Sequence, residues 1–348
     1  MNPDKRIENL NVFAEEEIIT PSELKKKYPL TEKAVSTVMK GQHTIRNILS
    51  GKDKRKFIVV GPCSIHDPES ALEYAHKLKT LSDDVTEKLF LVMRCYFEKP
   101  RTSIGWQGLI NDPYIDNSCK IEDGLRIARK LLLNIAEIGL PAAGEALDLI
   151  TPQYLQDLFS WTAIGARTTE SQTHRKMASG FSCAVGFKNG TDGNINVAVN
   201  AIKSALYPNN FVSINPDGHS AIVRTKGNKY THIVLRGGGG KTNYDSVNIK
   251  KCEDILMKAG LPVRIMVDCS HENSNKDPDK QKDVIQNILK QIRDGNKSIV
   301  GMMIESNIKS GNQDYLKNSN DLEYGVSITD ACLSFDETEE AIRVFSRY

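Results

Sequence analysis

LFLVMRCYFEKPRT, residues 89–102, joins two features that rarely sit together. Leu89 to Met93 are five consecutive apolar residues and read as a buried strand, since a half-exposed strand would alternate. Arg94, Glu98, Lys99 and Arg101 follow within nine residues, and three of these four are cations. A core strand that ends in so much charge belongs to a fold whose strand ends face a polar site.

The same pattern recurs along the chain. Short apolar runs bounded by Gly or Pro lie at 57–60 (FIVV), 89–93, 140–146 (LPAAGEA) and 161–166 (WTAIGA). Others lie at 183–187 (CAVGF), 232–235 (HIVL), 264–269 (RIMVDC) and 299–305 (IVGMMIE), making eight. Helical patterns separate them, for example Asp67-Pro68 opening ESALEYAHKLKTL. Eight strand–helix units with no second sheet-like block predict an α/β fold, a (β/α)₈ or TIM barrel. Two pieces stand outside the repeat. Residues 1–50 read as an N-terminal arm and helices: Thr20-Pro21-Ser22-Glu23 is a capping box, Pro29 stops the short helix it opens, and a second helical period runs from Thr31 towards Gly51. FVSINPDGHSAIVRT, 211–225, has two strand-like runs about Asn215-Pro216-Asp217-Gly218 and predicts a β-hairpin insertion around 209–231 of the 51–348 barrel.

Composition narrows the functional class. The 348 residues hold 46 Lys and Arg against 44 Asp and Glu, a balance that disfavours a broad nucleic-acid surface. No apolar run reaches membrane-span length, and the polar, acidic start MNPDKRIENLNVFAEEE is no secretory leader. Seven cysteines without a CxxC pair point to a reducing, cytoplasmic setting. Cys95, Cys119, Cys183, Cys252, Cys269 and Cys332 have no acid–base partner in sequence and read as packing residues.

In a barrel, functional groups project from the C-terminal strand ends. There the chain places Cys63, Arg94 with Lys99 and Arg101, Glu145, Arg167, Lys188, Arg236, His271 and Glu305. Any one of these alone reads as a solvated loop charge; an ionisable side chain at all eight ends reads as an anion-binding bowl. Six are cations, four of them arginines suited to bidentate recognition of phosphate or carboxylate. A phosphate monoester carries about −1.5 to −2 at neutral pH, so two phosphates and a carboxylate roughly match six cations. Small phosphorylated acids or sugars are the expected ligands. Cys63, His271 and Glu305, with Asp330 of SITDAC, form a workable divalent-metal set of mixed softness. RGGGGKT, 236–242, is not a P-loop, because Leu235 stands where its first glycine must be.

The motifs GPCSIHD (61–67), FEKPRT (97–102), GLINDP (108–113), GARTTESQ (165–172), GFKNGTDG (186–193), LRGG (235–238), DCSHENSNK (268–276) and SITDAC (327–332) resemble those of microbial 3-deoxy-D-arabino-heptulosonate 7-phosphate (DAHP) synthases of the short-chain class. The resemblance covers nearly the whole chain and implies a (β/α)₈ barrel. It implies condensation of phosphoenolpyruvate with erythrose 4-phosphate and water, giving DAHP and phosphate, the first step of the shikimate pathway. It further implies one divalent ion (Mn, Fe, Co or Zn) on Cys63, His271, Glu305 and Asp330. Arg94, Arg167, Lys188 and Arg236 would hold phosphoenolpyruvate beside Glu145; Lys99, Arg101 and Thr102 would hold erythrose 4-phosphate. Lys99, Cys63 and His271 would be central to catalysis.

The pattern departs from the family at Gly239 and Gly240, where a lysine usually follows LRGG, and at Gln107, Ser103 and Phe335. None of these is an expected ligand. EALD, TPQY, DCSHENSNK and MIESNI look most similar to the tyrosine-sensitive type, which implies an aromatic amino acid effector near Asn9, Pro152, Gln153 and Ser182, and a homodimer or homotetramer. Two other readings compete: a Schiff-base aldolase with Lys188 as nucleophile, and a sugar-phosphate-binding barrel without chemistry.

Overall fold

The computed structural model describes residues 7–101, 105–315 and 322–347. The chain opens with α1 (Pro21–Lys27) and α2 (Glu32–Leu49), then β1 (Lys56–Gly61), α3 (Pro68–Val85), β2 (Leu89–Arg94), α4 (Ile121–Ile138) and β3 (Ala142–Glu145). Next come α5 (Thr151–Leu155), β4 (Phe159–Ile164), α6 (Gln172–Ala178), β5 (Ala184–Lys188) and α7 (Ile195–Leu206). The hairpin strands β6 (Asn210–Ile214) and β7 (Ser220–Arg224) precede β8 (Thr231–Leu235), α8 (Ser246–Lys258) and β9 (Ile265–Asp268). The last elements are α9 (Lys280–Arg293), β10 (Ile299–Glu305) and α10 (Phe335–Ser346). Eight strands close a parallel barrel in the ring order β1-β10-β9-β8-β5-β4-β3-β2, and β6 pairs only with β7, antiparallel. All eight apolar runs are its strands, and the insertion is the hairpin.

Local chemistry explains the boundaries. Thr20 and Glu23 make both halves of the capping box at α1, and Thr31 caps α2. Asn215 holds the hairpin turn, its side-chain oxygen accepting from the Asp217 and His219 amides.

Two apolar layers follow from strand alternation. Ile58, Val60, Leu91, Met93, Ile233, Leu235, Met302 and Ile304 point out and pack under the helices. Phe57, Val59, Val92, Ala143, Trp161, Ala163, Val234, Met266 and Met303 point in and fill the barrel. Ile45, Ile48 and Leu49 of α2 join that interior cluster, so α2 plugs the N-terminal end of the barrel. Gly41 makes the close seat possible, since a Cβ there would stand 2.2 Å from Ser160 Oγ at the start of β4.

Of the cysteines read as packing residues, Cys119 is exposed, in a left-handed turn at φ 50°; the other five are buried. Its surroundings, Asp116-Asn117-Ser118 and Lys120, are polar and leave nothing for a thiol to pack against. No helix among the described residues is long and apolar enough to cross a membrane.

Candidate active site

The alternation that buries Phe57 and Trp161 also builds the site. Continuing each inward series by one step reaches Arg94 after Val92, Glu145 after Ala143, Lys188 after Gly186, Arg236 after Val234, Asp268 after Met266 and Glu305 after Met303. These polar groups form the top layer of the barrel interior, above the apolar ones. Arg94, Lys99, Arg101, Glu145, Arg167, Lys188, Arg236, His271 and Asp330 line one cavity of about 380 Å³, with Thr191, Glu272 and Lys276 among its other walls.

Cys63 Sγ, a carboxylate oxygen of Glu305 and one of Asp330 lie within 4.8 Å of one another. His271 stands beside this trio, its Nε2 4.0 Å from Glu305 Oε1. On the other side of the ring, Nδ1 is 3.0 Å from Asp268 Oδ2 and 2.8 Å from Ser270 Oγ. Ser270 Oγ spends its hydrogen on Asp268 Oδ1 at 2.6 Å and so accepts from Nδ1; Nδ1 carries the hydrogen and Nε2 keeps its lone pair. One sulfur, one imidazole nitrogen and two carboxylates suit a divalent ion of borderline softness, and the residues present fit such an ion.

Cations hold this acidic group together. Lys99 Nζ is 3.0 Å from Cys63 Sγ and 3.6 Å from Asp330 Oδ2. Buried Arg94 donates to Glu305 Oε1 at 2.8 Å, and to the Pro62 and Cys63 carbonyls at 3.0 Å each, with its guanidinium 3.5 Å from the Tyr96 ring centroid. Burial pushes the Cys63 thiol up to about 11, with the Glu305 charge adding to it and Lys99 opposing. Burial alone would also raise Asp330, but Lys99, His271, the Cys63 hydrogen bond and the more distant Lys276 charge together outweigh it and bring the carboxyl down to about 2. Burial would strip Lys99 of its proton, yet Cys63, Glu305 and Asp330 together keep it charged.

The sequence-based charge count takes six cations as available to substrate; the structure corrects it. Arg94 pairs with Glu305, Lys99 with Asp330, and Lys188 with buried Asp268 at 2.9 Å. Cations this deep require internal counter-charges before any ligand arrives.

Arg236 is placed by its neighbours: its amide donates to Asn189 Oδ1 at 2.9 Å, and Asn189 Nδ2 donates to the Gly237 carbonyl at 2.8 Å. Four consecutive glycines, 237–240, then run at positive φ. A Cβ on Gly238 would stand 2.2 Å from the Gly193 amide nitrogen, so this loop and the one after β5 touch backbone to backbone.

The sequence model of the DAHP synthetase I family matches residues 27–343. The chain belongs to that family. Within it, the phospho-2-dehydro-3-deoxyheptonate aldolase, Tyr-sensitive, of Escherichia coli (strain K12) is 52% identical over 337 residues, 97% of this chain and 94% of that protein. The Phe-sensitive aldolase of the same organism is 53% identical over 342 residues, 98% of this chain and 96% of that protein. The solved structure of phospho-2-dehydro-3-deoxyheptonate aldolase from Francisella tularensis SCHU S4 superposes with a TM-score of 0.95 at 47% identity, covering 97% of this chain and 98% of that one.

Asp268, Glu272, Thr191 and Lys276 are site residues that the sequence reading leaves out. Asp268 and Lys276 lie inside the quoted DCSHENSNK, and the inward parity of β9 is the signal that marks Asp268. Thr102, expected to hold erythrose 4-phosphate, lies outside the described residues. Of the family's expected effector positions, Pro152 and Gln153 sit in α5, one turn before Gln156, whose side chain donates to Cys183 Sγ at 3.0 Å beside exposed Ser182. Asn9 belongs to the arm, at φ 58°, its side chain reaching Glu15.

Proposed function

We propose that this member of the DAHP synthetase I family condenses phosphoenolpyruvate with erythrose 4-phosphate and water, releasing phosphate, in the first step of aromatic amino acid biosynthesis under feedback control. The observation that carries this reading is one cavity lined by Asp330, Lys99 and an arc of further cations, with buried Cys63 and Glu305 directly behind Asp330 in the trio. Arg94, Arg167, Lys188 and Arg236 take phosphoenolpyruvate, with Glu145 at its edge. Lys99, Arg101 and Thr102 take erythrose 4-phosphate. The near-equal identity to Tyr-sensitive and Phe-sensitive relatives leaves the effector to Asn9, Pro152, Gln153 and Ser182, which we assign to its pocket.

A divalent ion on Cys63, His271, Glu305 and Asp330, one of Mn, Fe, Co or Zn, supplies a Lewis acid at the mouth of β1 and β10. The chain's own residues do the rest. The cations align two anions that would otherwise repel, which is worth several kcal/mol when the reacting carbons are held in contact. Lys99 Nζ is held protonated and hands its proton to the oxygen on which negative charge develops as the aldehyde is attacked. Asp268 keeps His271 in the tautomer that offers Nε2.

The Schiff-base reading needs a neutral Lys188 amine, and the 2.9 Å contact with Asp268 disfavours it. The binding-only reading would require a missing ligand in the metal set, and Cys63, His271, Glu305 and Asp330 are all present. We further read residues 1–50 as an arm for a homodimer or homotetramer and 51–348 as the barrel. Exposed Ile7, Leu10, Val12 and Phe13 support that reading of the arm, and a cytoplasmic setting fits the unpaired cysteines. The test is phosphate release from the two substrates by chelated protein before and after divalent metal is added. Release only after metal supports the condensation; borohydride trapping of Lys188 in chelated, active protein overturns it.

A further inference from the structure

The ring order divides the rim cations into two groups. Lys188 ends β5, Arg236 follows β8 and Arg167 follows β4, three strands that are consecutive in the ring. Cys63 follows β1 and Glu305 ends β10, and these two strands are flanked by β2, which leads to Lys99 and Arg101, and β9, which leads to His271 and Lys276. Two phosphorylated substrates whose reacting carbons meet must point their phosphates apart, because two dianions side by side repel. With one phosphate over β4, β5 and β8, the other falls on the β2–β1–β10–β9 side. There Arg94 is paired with Glu305 and Lys99 with Asp330 and Cys63. Arg101 and Lys276 are the remaining cations among the described residues that line the cavity on this side, and Lys276 makes no ion pair among them. A single guanidinium does not match a group of charge about −1.5 to −2, so a second cation is needed.

Backbone geometry singles out the same lysine. Asn275 and Lys276 are left-handed, at φ 53° and 62°, a conformation that costs a non-glycine residue on the order of 1 kcal/mol or more. Surrounding bonds enforce it: the Lys276 amide donates to the His271 carbonyl at 2.7 Å, and Asn273 Nδ2 donates to the Leu235 and Asp268 carbonyls at 3.1 and 2.9 Å. The turn therefore returns the chain to the cavity wall at the lysine. We infer that Lys276 binds the phosphate of the tetrose substrate jointly with Arg101, an assignment that rests on the condensation proposed above.

Steady-state kinetics of the full-length, metal-loaded enzyme test this with Lys276→Met, Lys276→Arg and Lys276→Gly, each substrate varied in turn. The methionine variant loses about 10- to 100-fold in kcat/KM for erythrose 4-phosphate, as expected for one charge-assisted contact, while KM for phosphoenolpyruvate stays within twofold. Arginine restores most of the loss. Glycine relaxes the left-handed turn without supplying charge and is as impaired as methionine. An unchanged kcat/KM in the methionine variant, an equal rise in KM for phosphoenolpyruvate, or recovery in the glycine variant overturns the inference. Wild-type protein that fails to condense the two substrates overturns the proposed function itself, whereas active wild type with silent Lys276 variants overturns only the lysine's role.

Discussion

Lys99 serves two neighbours at once. Its ammonium offsets the charge of Asp330 and lies 3.0 Å from the Cys63 sulfur. Lys99→Met is expected to lower kcat by about 100-fold or more, while affinity for Mn holds or rises because a positive charge beside the donor atoms is gone. Parallel activity assays and Mn titrations measure both, and an unchanged turnover number rejects the proton-donor role. Cys63 gives a second expectation. Its thiol titrates at about 11 in the metal-free protein, so loading a divalent ion near neutral pH must expel that proton. Apparent metal affinity then rises about tenfold per pH unit from pH 7 to 9, and an indicator-dye titration registers about one proton released per ion. A flat affinity profile would contradict sulfur ligation.

Strand ends and the loops after them decide where each group points. Gly238→Ala is expected to destabilise the protein by about 1–3 kcal/mol and to raise KM for phosphoenolpyruvate, because the new methyl meets the Gly193 backbone and displaces Arg236 and the loop after β5 together. Thermal melting and substrate-saturation curves separate the two effects; a variant with wild-type melting and KM would show that the loops do not act jointly. At this scale the sequence was readable wherever a local signal existed. The apolar runs, the Thr20 capping box and the Asn215 turn each carry their instruction within a few residues. Pairings across the ring carry none: Lys188 with Asp268 and Arg94 with Glu305 join residues 80 and 211 positions apart, respectively, and only barrel closure selects them. Lys276 was hidden for another reason, since an exposed lysine in a polar loop reads like any other until its backbone conformation is seen.

Taken as a whole, the barrel has a charged upper half and a dry lower half, and the lower half contains a buried histidine with no use in the chemistry. His232 is buried against Trp161 and Phe57, and burial pushes its imidazole down to about 3. Because the folded value lies below the unfolded one, the side chain costs nothing above pH 6.5; stability falls as pH drops from there towards 3. Between pH 7 and 5 the loss from this residue is about 2 kcal/mol. His232→Gln, which keeps an acceptor for Trp161 Nε1, is expected to flatten the acid side of the melting-temperature profile; an unaltered profile would assign the acid sensitivity elsewhere.

The plug formed by α2 has a consequence for traffic. With Ile45, Ile48 and Leu49 packed in one cluster with Phe57 and Trp161, the vessel has a floor, and among the described residues the way in is the doorway at the opposite, C-terminal end. Reactants, water, released phosphate and the finished seven-carbon sugar acid all share that doorway, so the next pair cannot load until the previous product has left. A bulky anion lodged at the lip would halt arrival and departure alike.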